Sequence, residues 1–100
     1  MRIRITPEAD TEFSEGGWWY DRRREGLGEE FVAEVNDTLY RIADNPGLFG
    51  PYEGGGTKRR YQRALVNRFP YVIIFEIVAD EIVVHSICNG ARKPGYWERR

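Results

Sequence analysis

Apolar positions along the chain change their period twice, and the changes divide it into elements. Arg2–Ile5 reads RIRI, an alternation that predicts a short strand with one buried face. Thr6 then offers an N-cap, Pro7 suits the first helical position and Glu8 complements the helix dipole, so a helix is expected from there. Ala9, Phe13, Gly17 and Tyr20 follow at helical spacing, and Gly26 and Gly28 mark the stop. Phe31, Val32, Val35, Leu39 and Ile42 recur every three or four residues and predict a second helix, ended by Asn45 and Pro46. The short connection between the helices predicts an antiparallel hairpin.

The second half changes character. Residues 46–57, PGLFGPYEGGGT, are rich in glycine and proline and predict a loop, with GGG its most mobile part. Three strands are expected after it, at Lys58–Asn67, Tyr71–Val78 and Ile82–Cys88, with Pro70 making the first connection a turn and Ala79-Asp80-Glu81 the second. The order is β-α-α-β-β-β. Packing the helical hairpin on one face of an antiparallel sheet is the simplest way to bury these stripes, an α+β fold.

Composition fits that picture. One hundred residues, 41% hydrophobic and 31% charged, suit a single globular domain spanning residues 1–100. The apolar run Val72–Phe75 is far too short to cross a bilayer, and MRIRITPE does not resemble a signal peptide, so a cytoplasmic protein without a membrane is expected. Cys88 is the only cysteine, which fits a reducing compartment, and without a Cys and His cluster neither a structural zinc nor any other cofactor is expected. Net charge is only −1, but residues 1–53 carry −6 and residues 54–100 carry +5. A basic half suits phosphate or an acidic partner, while the acidic half limits indiscriminate binding. Scattered surface charge explains the same numbers if the split in sequence does not become a split in space.

Two groups of residues carry candidate chemistry. The basic stretch KRRYQRALVNR holds Lys58, Arg59, Arg60, Arg63 and Arg68, whose guanidinium groups suit phosphate oxygens. Strand alternation places Arg59 and Arg63 on one face and Arg60 and Arg68 on the other. Salt bridges to the acidic helices are the competing explanation. Tyr61 and Tyr71 suit base stacking or, better, buried aromatic packing. The second group is the tail, with Asn89, Arg92, Lys93, Tyr96 and Trp97. A tyrosine beside an arginine can move a proton at a ribose hydroxyl while the arginine steadies a developing phosphorane. Trp97 reads instead as an anchor pinning the tail to the core. His85, the only histidine, falls by alternation on one face with Val83 and Ile87, with no second acid or base identifiable beside it.

Taken together, TPEADTEF, WWYDRRREGLGEEFVAEV, IADNPGLFG, RRYQRALVNRFPYVIIFEI and NGARKPGYW resemble the RelE/ParE superfamily of type II toxin–antitoxin toxins over nearly the whole chain. The resemblance implies a compact β-α-α-β-β-β fold and a cognate antitoxin that wraps and neutralises the toxin in a hetero-oligomer. RelE-like members cut ribosome-bound mRNA with a cluster of Lys, Arg and a C-terminal Tyr; ParE-like members lack the full cluster and inhibit DNA gyrase. Arg60, Arg63, Arg68, Arg92 and Tyr96 are the candidates for the first set. RFPY and PGYW look more like the ParE-like, plasmid-stabilisation branch, though Asn89 and Ala91 stand where that branch often has His and Arg. Those differences remove a base and a phosphate ligand. Three readings follow from the resemblance: a gyrase inhibitor, a ribosome-dependent endoribonuclease, and an inactive homologue retained for antitoxin binding.

Overall fold

The computed structural model describes residues 1–54, 59–90 and 95–99. The chain runs β1 (Arg2–Ile5), α1 (Pro7–Arg23), α2 (Leu27–Asp44), a 3-10 turn (Pro46–Leu48), β2 (Pro51–Tyr52), β3 (Tyr61–Leu65), β4 (Tyr71–Val78), β5 (Glu81–Asn89) and a last 3-10 turn (Tyr96–Arg99). The strands form one sheet in the order β1-β5-β4-β3-β2. β2 to β5 are antiparallel to their neighbours, whereas β1 joins β5 in parallel. That single parallel pair makes the sheet mixed: two antiparallel helices return the chain to the side from which β1 entered, so β1 and β5 point the same way.

Local chemistry explains the element ends. The Thr6 hydroxyl accepts the Ala9 N–H at 3.2 Å, and Glu8 and Asp10 in the first turn and Arg22 and Arg23 in the last complement the dipole of α1. Gly26 turns the hairpin at φ 87°, a left-handed conformation that only glycine adopts at no steric cost. At Gly28 the helices nearly touch: a Cβ there would lie 2.4 Å from the Gly17 carbonyl oxygen, and the Gly28 N–H donates to Asp21 Oδ1 at 2.8 Å. GLG is therefore a requirement of helix packing as well as of the turn.

Several sequence expectations are revised. The segment predicted as a bare loop contains a 3-10 turn and the short strand β2, docked by Gln62 Nε2, which donates to the carbonyls of Pro46 at 2.8 Å and Phe49 at 3.0 Å. β3 is shorter than Lys58–Asn67, because Val66 N–H bonds across to Tyr71 O and the chain turns through Arg68 at φ 72°. The final hairpin has two loop residues rather than three, since Glu81 pairs with Val78. Lys58 and most of the GGG stretch lie outside the described residues.

Both helices lie on one face of the sheet. Phe31, Val35 and Ile42 of α2 meet Ile73 and Phe75 of β4 and Ile82, Val84 and Ile87 of β5, all essentially excluded from solvent. Tyr20, Phe31, Phe69 and Tyr71 form an aromatic knot, with Phe31 and Tyr71 centroids 4.7 Å apart at 68°. Tyr71 is thus half-buried and packed against the core by its ring contacts rather than a free stacking platform. Burial raises its pKa above the usual tyrosine value, as it does for Tyr20. Among the described residues, no helix is long and apolar enough to cross a membrane.

Candidate functional site

The opposite face of the sheet carries the chemistry. Alternation along β3 aims Tyr61 and Arg63 away from the helices, and Arg63 is paired in register with Ile74 of β4. Over them lies the last turn. Trp97 is 6% exposed and stands edge-on to Tyr61, centroids 5.4 Å apart at 89°, with Tyr52 on its other side at 5.3 Å. The turn is held by polar contacts as well. Tyr61 donates its hydroxyl to Glu98 Oε2 at 2.9 Å, and the Tyr96 hydroxyl donates to Glu12 Oε2 and lies 2.7 Å from Ser86 Oγ.

A β-bulge rearranges the histidine. Ile74 pairs with Ser86 and Phe75 with Val84, so His85 is the extra residue on β5. The period-2 pattern shifts by one there. His85 therefore does not share a face with Ile87, as simple alternation predicts; Ile87 joins the helix-side core while His85 turns to the other side. Its Nε2 lies 2.7 Å from Glu76 Oε1, and its ring stands edge-on to Tyr61 at 5.6 Å. Glu76 is 5% exposed and also accepts both Arg59 Nε and Nη2. This hydrogen bonding holds the Arg59 guanidinium even more firmly charged than usual. A buried carboxylate shared by an arginine and a histidine satisfies the rule that buried charge is paired. Sequence reasoning found no partner for His85 because Glu76 comes from the neighbouring strand, in a register that the sequence does not state.

The predicted site residues are partly brought together. Arg63, Asn89, Tyr96 and Trp97 line one small cavity of about 80 Å³ with Tyr52 and Cys88. Arg59 is on the same face but is committed to Glu76, and Arg60 lines a separate groove beside Tyr52, Glu53 and Gln62. Arg68 is on the opposite face, as alternation predicts, where it pairs with Glu30 of α2 at 2.7 Å and Glu34 at 3.7 Å. The salt-bridge explanation holds for that residue. Arg92, Lys93 and Ala91 lie outside the described residues.

Tyr96 is not a free acid or base. Burial and the Glu12 carboxylate both raise its pKa above the usual tyrosine value, because the phenol is out of water and its O–H donates to a carboxylate that favours the protonated form. Glu12, Ser86 and Glu76 are the residues of this face that sequence reasoning missed. Each acts across the fold, and none belongs to a local motif. Among the described residues no group of three or more His, Cys, Asp or Glu could hold a metal ion.

A mixed sheet with an N-terminal helical hairpin on one face and an aromatic C-terminal turn beside Arg63 on the other, together with a family match over most of the chain, places it in the type II toxin–antitoxin class of toxins. The sequence matches the family described as ParE toxin of type II toxin-antitoxin system, parDE, over residues 3–94. The chain belongs to that family. One solved structure similar to it is the chromosomal ParDE TA system from P. aeruginosa, with a TM-score of 0.75 at 13% identity, covering 89% of this chain and 95% of that one. That likeness shows the fold. No curated protein matches the chain.

Proposed function

We propose that this ParE-type toxin acts by binding, with DNA gyrase as its target, and that a cognate antitoxin neutralises it in a hetero-oligomer. The observation that carries the reading is the state of the residues that would cut RNA. Tyr96 keeps its proton and donates a hydrogen bond to Glu12, and Arg68 is bound to α2. Such groups hold the fold together, and among the described residues Arg63, beside Asn89, is the arginine lining the cavity. An in-line attack by a ribose hydroxyl needs a proton acceptor and several cations converging on one phosphate. A binding surface needs only a shaped, charged face. The family membership supports the antitoxin, and an amphipathic helix lying in a groove is the recognition mode expected of it.

Induced expression without antitoxin tests the proposal, with translation rate, mapped RNA 5′ ends and the DNA-damage response followed in the same cultures. Damage signalling and filamentation with intact message are expected. Early translation arrest with codon-phased cuts overturns the gyrase reading and makes the chain an endoribonuclease; unaffected growth despite antitoxin binding makes it an inactive homologue. Arg92 and Lys93 are further proposed contacts, and replacing both with Glu is expected to weaken antitoxin capture and toxicity together.

A further inference from the structure

β5 is flanked unequally. β4 pairs with it from Glu81 to Asn89, but on its other side β1 pairs only with Glu81 to Val84. The last backbone bond on that side is from Thr6 N–H to Val84 O at 3.1 Å. Beyond it, a side chain takes over: Glu12 of α1 reaches the strand edge, and its Oε1 accepts the Ile87 N–H at 3.1 Å. A half-buried backbone donor is thereby satisfied where the sheet has no strand to offer. The second oxygen of the same carboxylate, Oε2, accepts the Tyr96 hydroxyl, next to Trp97 in the last turn.

We propose that Glu12 is a two-ended latch, coupling the free edge of β5 to the C-terminal turn that covers the Arg63–Trp97 cavity. The two oxygens belong to one rigid group, so immobilising the Glu12 side chain for one contact prepares it for the other. Losing either contact leaves the other to carry more of the ordering entropy of a flexible side chain. The coupling is therefore reciprocal. Releasing the latch frees the turn and opens the cavity to a partner. The inference goes beyond the proposed function and holds whichever molecule is the target, because it concerns how access to that face is controlled.

Hydrogen exchange measured by NMR on the purified chain tests it, following the Ile87 amide and the Trp97 indole N–H, with the Phe31 and Val35 amides reporting global opening. Glu12→Ala is expected to speed Ile87 exchange by about tenfold, as for loss of a hydrogen bond to a charged acceptor. It is also expected to speed Trp97 indole exchange, although Glu12 is not part of the aromatic cluster around Trp97. Tyr96→Phe removes one oxygen and keeps the ring, and is expected to speed Ile87 exchange by about threefold or more, the smaller effect because one contact of Glu12 survives. Glu12→Gln, which retains an acceptor for Ile87, restores that amide more than it restores the indole. Trp97 unchanged in Glu12→Ala, or Ile87 unchanged in Tyr96→Phe, overturns the latch. If Glu12→Ala does not fold, the response of Ile87 to Tyr96→Phe decides alone.

Discussion

The two faces of the sheet are built on different principles. The helix side is a continuous apolar core in which Phe31, Val35, Ile73, Phe75 and Ile87 exclude water. The other side buries a smaller group, Tyr61, Ile74 and Trp97, among polar groups: Glu76 with Arg59 and His85, Tyr96 with Glu12 and Ser86, and Tyr61 with Glu98. Apolar contact is non-directional and tolerates small shifts, so the first face supplies stability. Hydrogen-bonded networks demand fixed partners, so the second defines one position for the last turn. The surface proposed for binding is on the face whose order depends on specific partners.

Cavity formation gives the sharpest contrast. Phe31→Ala is expected to cost about 3–5 kcal/mol in denaturant unfolding, since its ring touches both helices and the sheet. Trp97→Ala, although it removes a larger side chain, is expected to fall at or below about 3 kcal/mol, because the last turn can move aside and let water in. Equal costs would mean that the two faces form one core. Arg59→Ala is expected to cost about 1–3 kcal/mol, the range for a hydrogen bond to a charged group, because buried Glu76 is left with His85 alone. A cost near zero would show that the Arg59–Glu76 pair contributes nothing to stability.

Smaller effects test the turns and surface pairs outside both faces. Ala79 opens the β4–β5 hairpin at φ 54°, so Ala79→Gly is expected to stabilise by about 0.5–1 kcal/mol as a strained left-handed residue is relieved; a loss of stability would sink the assignment. The Arg68 hydrogen bond lowers the pKa of Glu30 below its usual 4.5. A depressed folded pKa contributes stability that is present above the unfolded value and lost as pH falls through the folded one. Arg68→Ala should therefore narrow its gap from the parent as pH drops from about 5 through the folded pKa of Glu30, an effect kept small by solvent at this exposed pair. A gap that is the same at pH 7 and pH 3 would show that the pair contributes nothing.

Legibility in the sequence followed the same division. The start of α1 at Thr6-Pro7, the stripe of α2 and the bounds of β4 were all readable, because each depends on residues within a few positions of one another. The pairing of β1 with β5 was not, since a four-residue strand carries no record of its neighbour. Among the candidate residues, Arg63, Asn89, Tyr96 and Trp97 line one cavity, a convergence the sequence left open because it does not say which face of the sheet carries Arg63. Arg68 lies on the face opposite Arg63, as alternation placed it, but there it pairs with Glu30 and Glu34 of α2 rather than joining the tail, a partnership the pattern does not record.

By itself, then, the sequence determined what periodicity and capping encode: which segments are helices or strands, which of their faces are apolar, and hence that a helical hairpin must cover a sheet. Tertiary structure alone decided which charges are partners. The β4–β5 register gave an apparently solitary histidine the Glu76 carboxyl, the bulge turned Ile87 into the helix-side core, and the short reach of β1 left the Ile87 N–H to Glu12. Local pattern reflects short-range sterics and burial, whereas a hydrogen bond between residues 75 positions apart depends on register and strand length that only the assembled sheet defines.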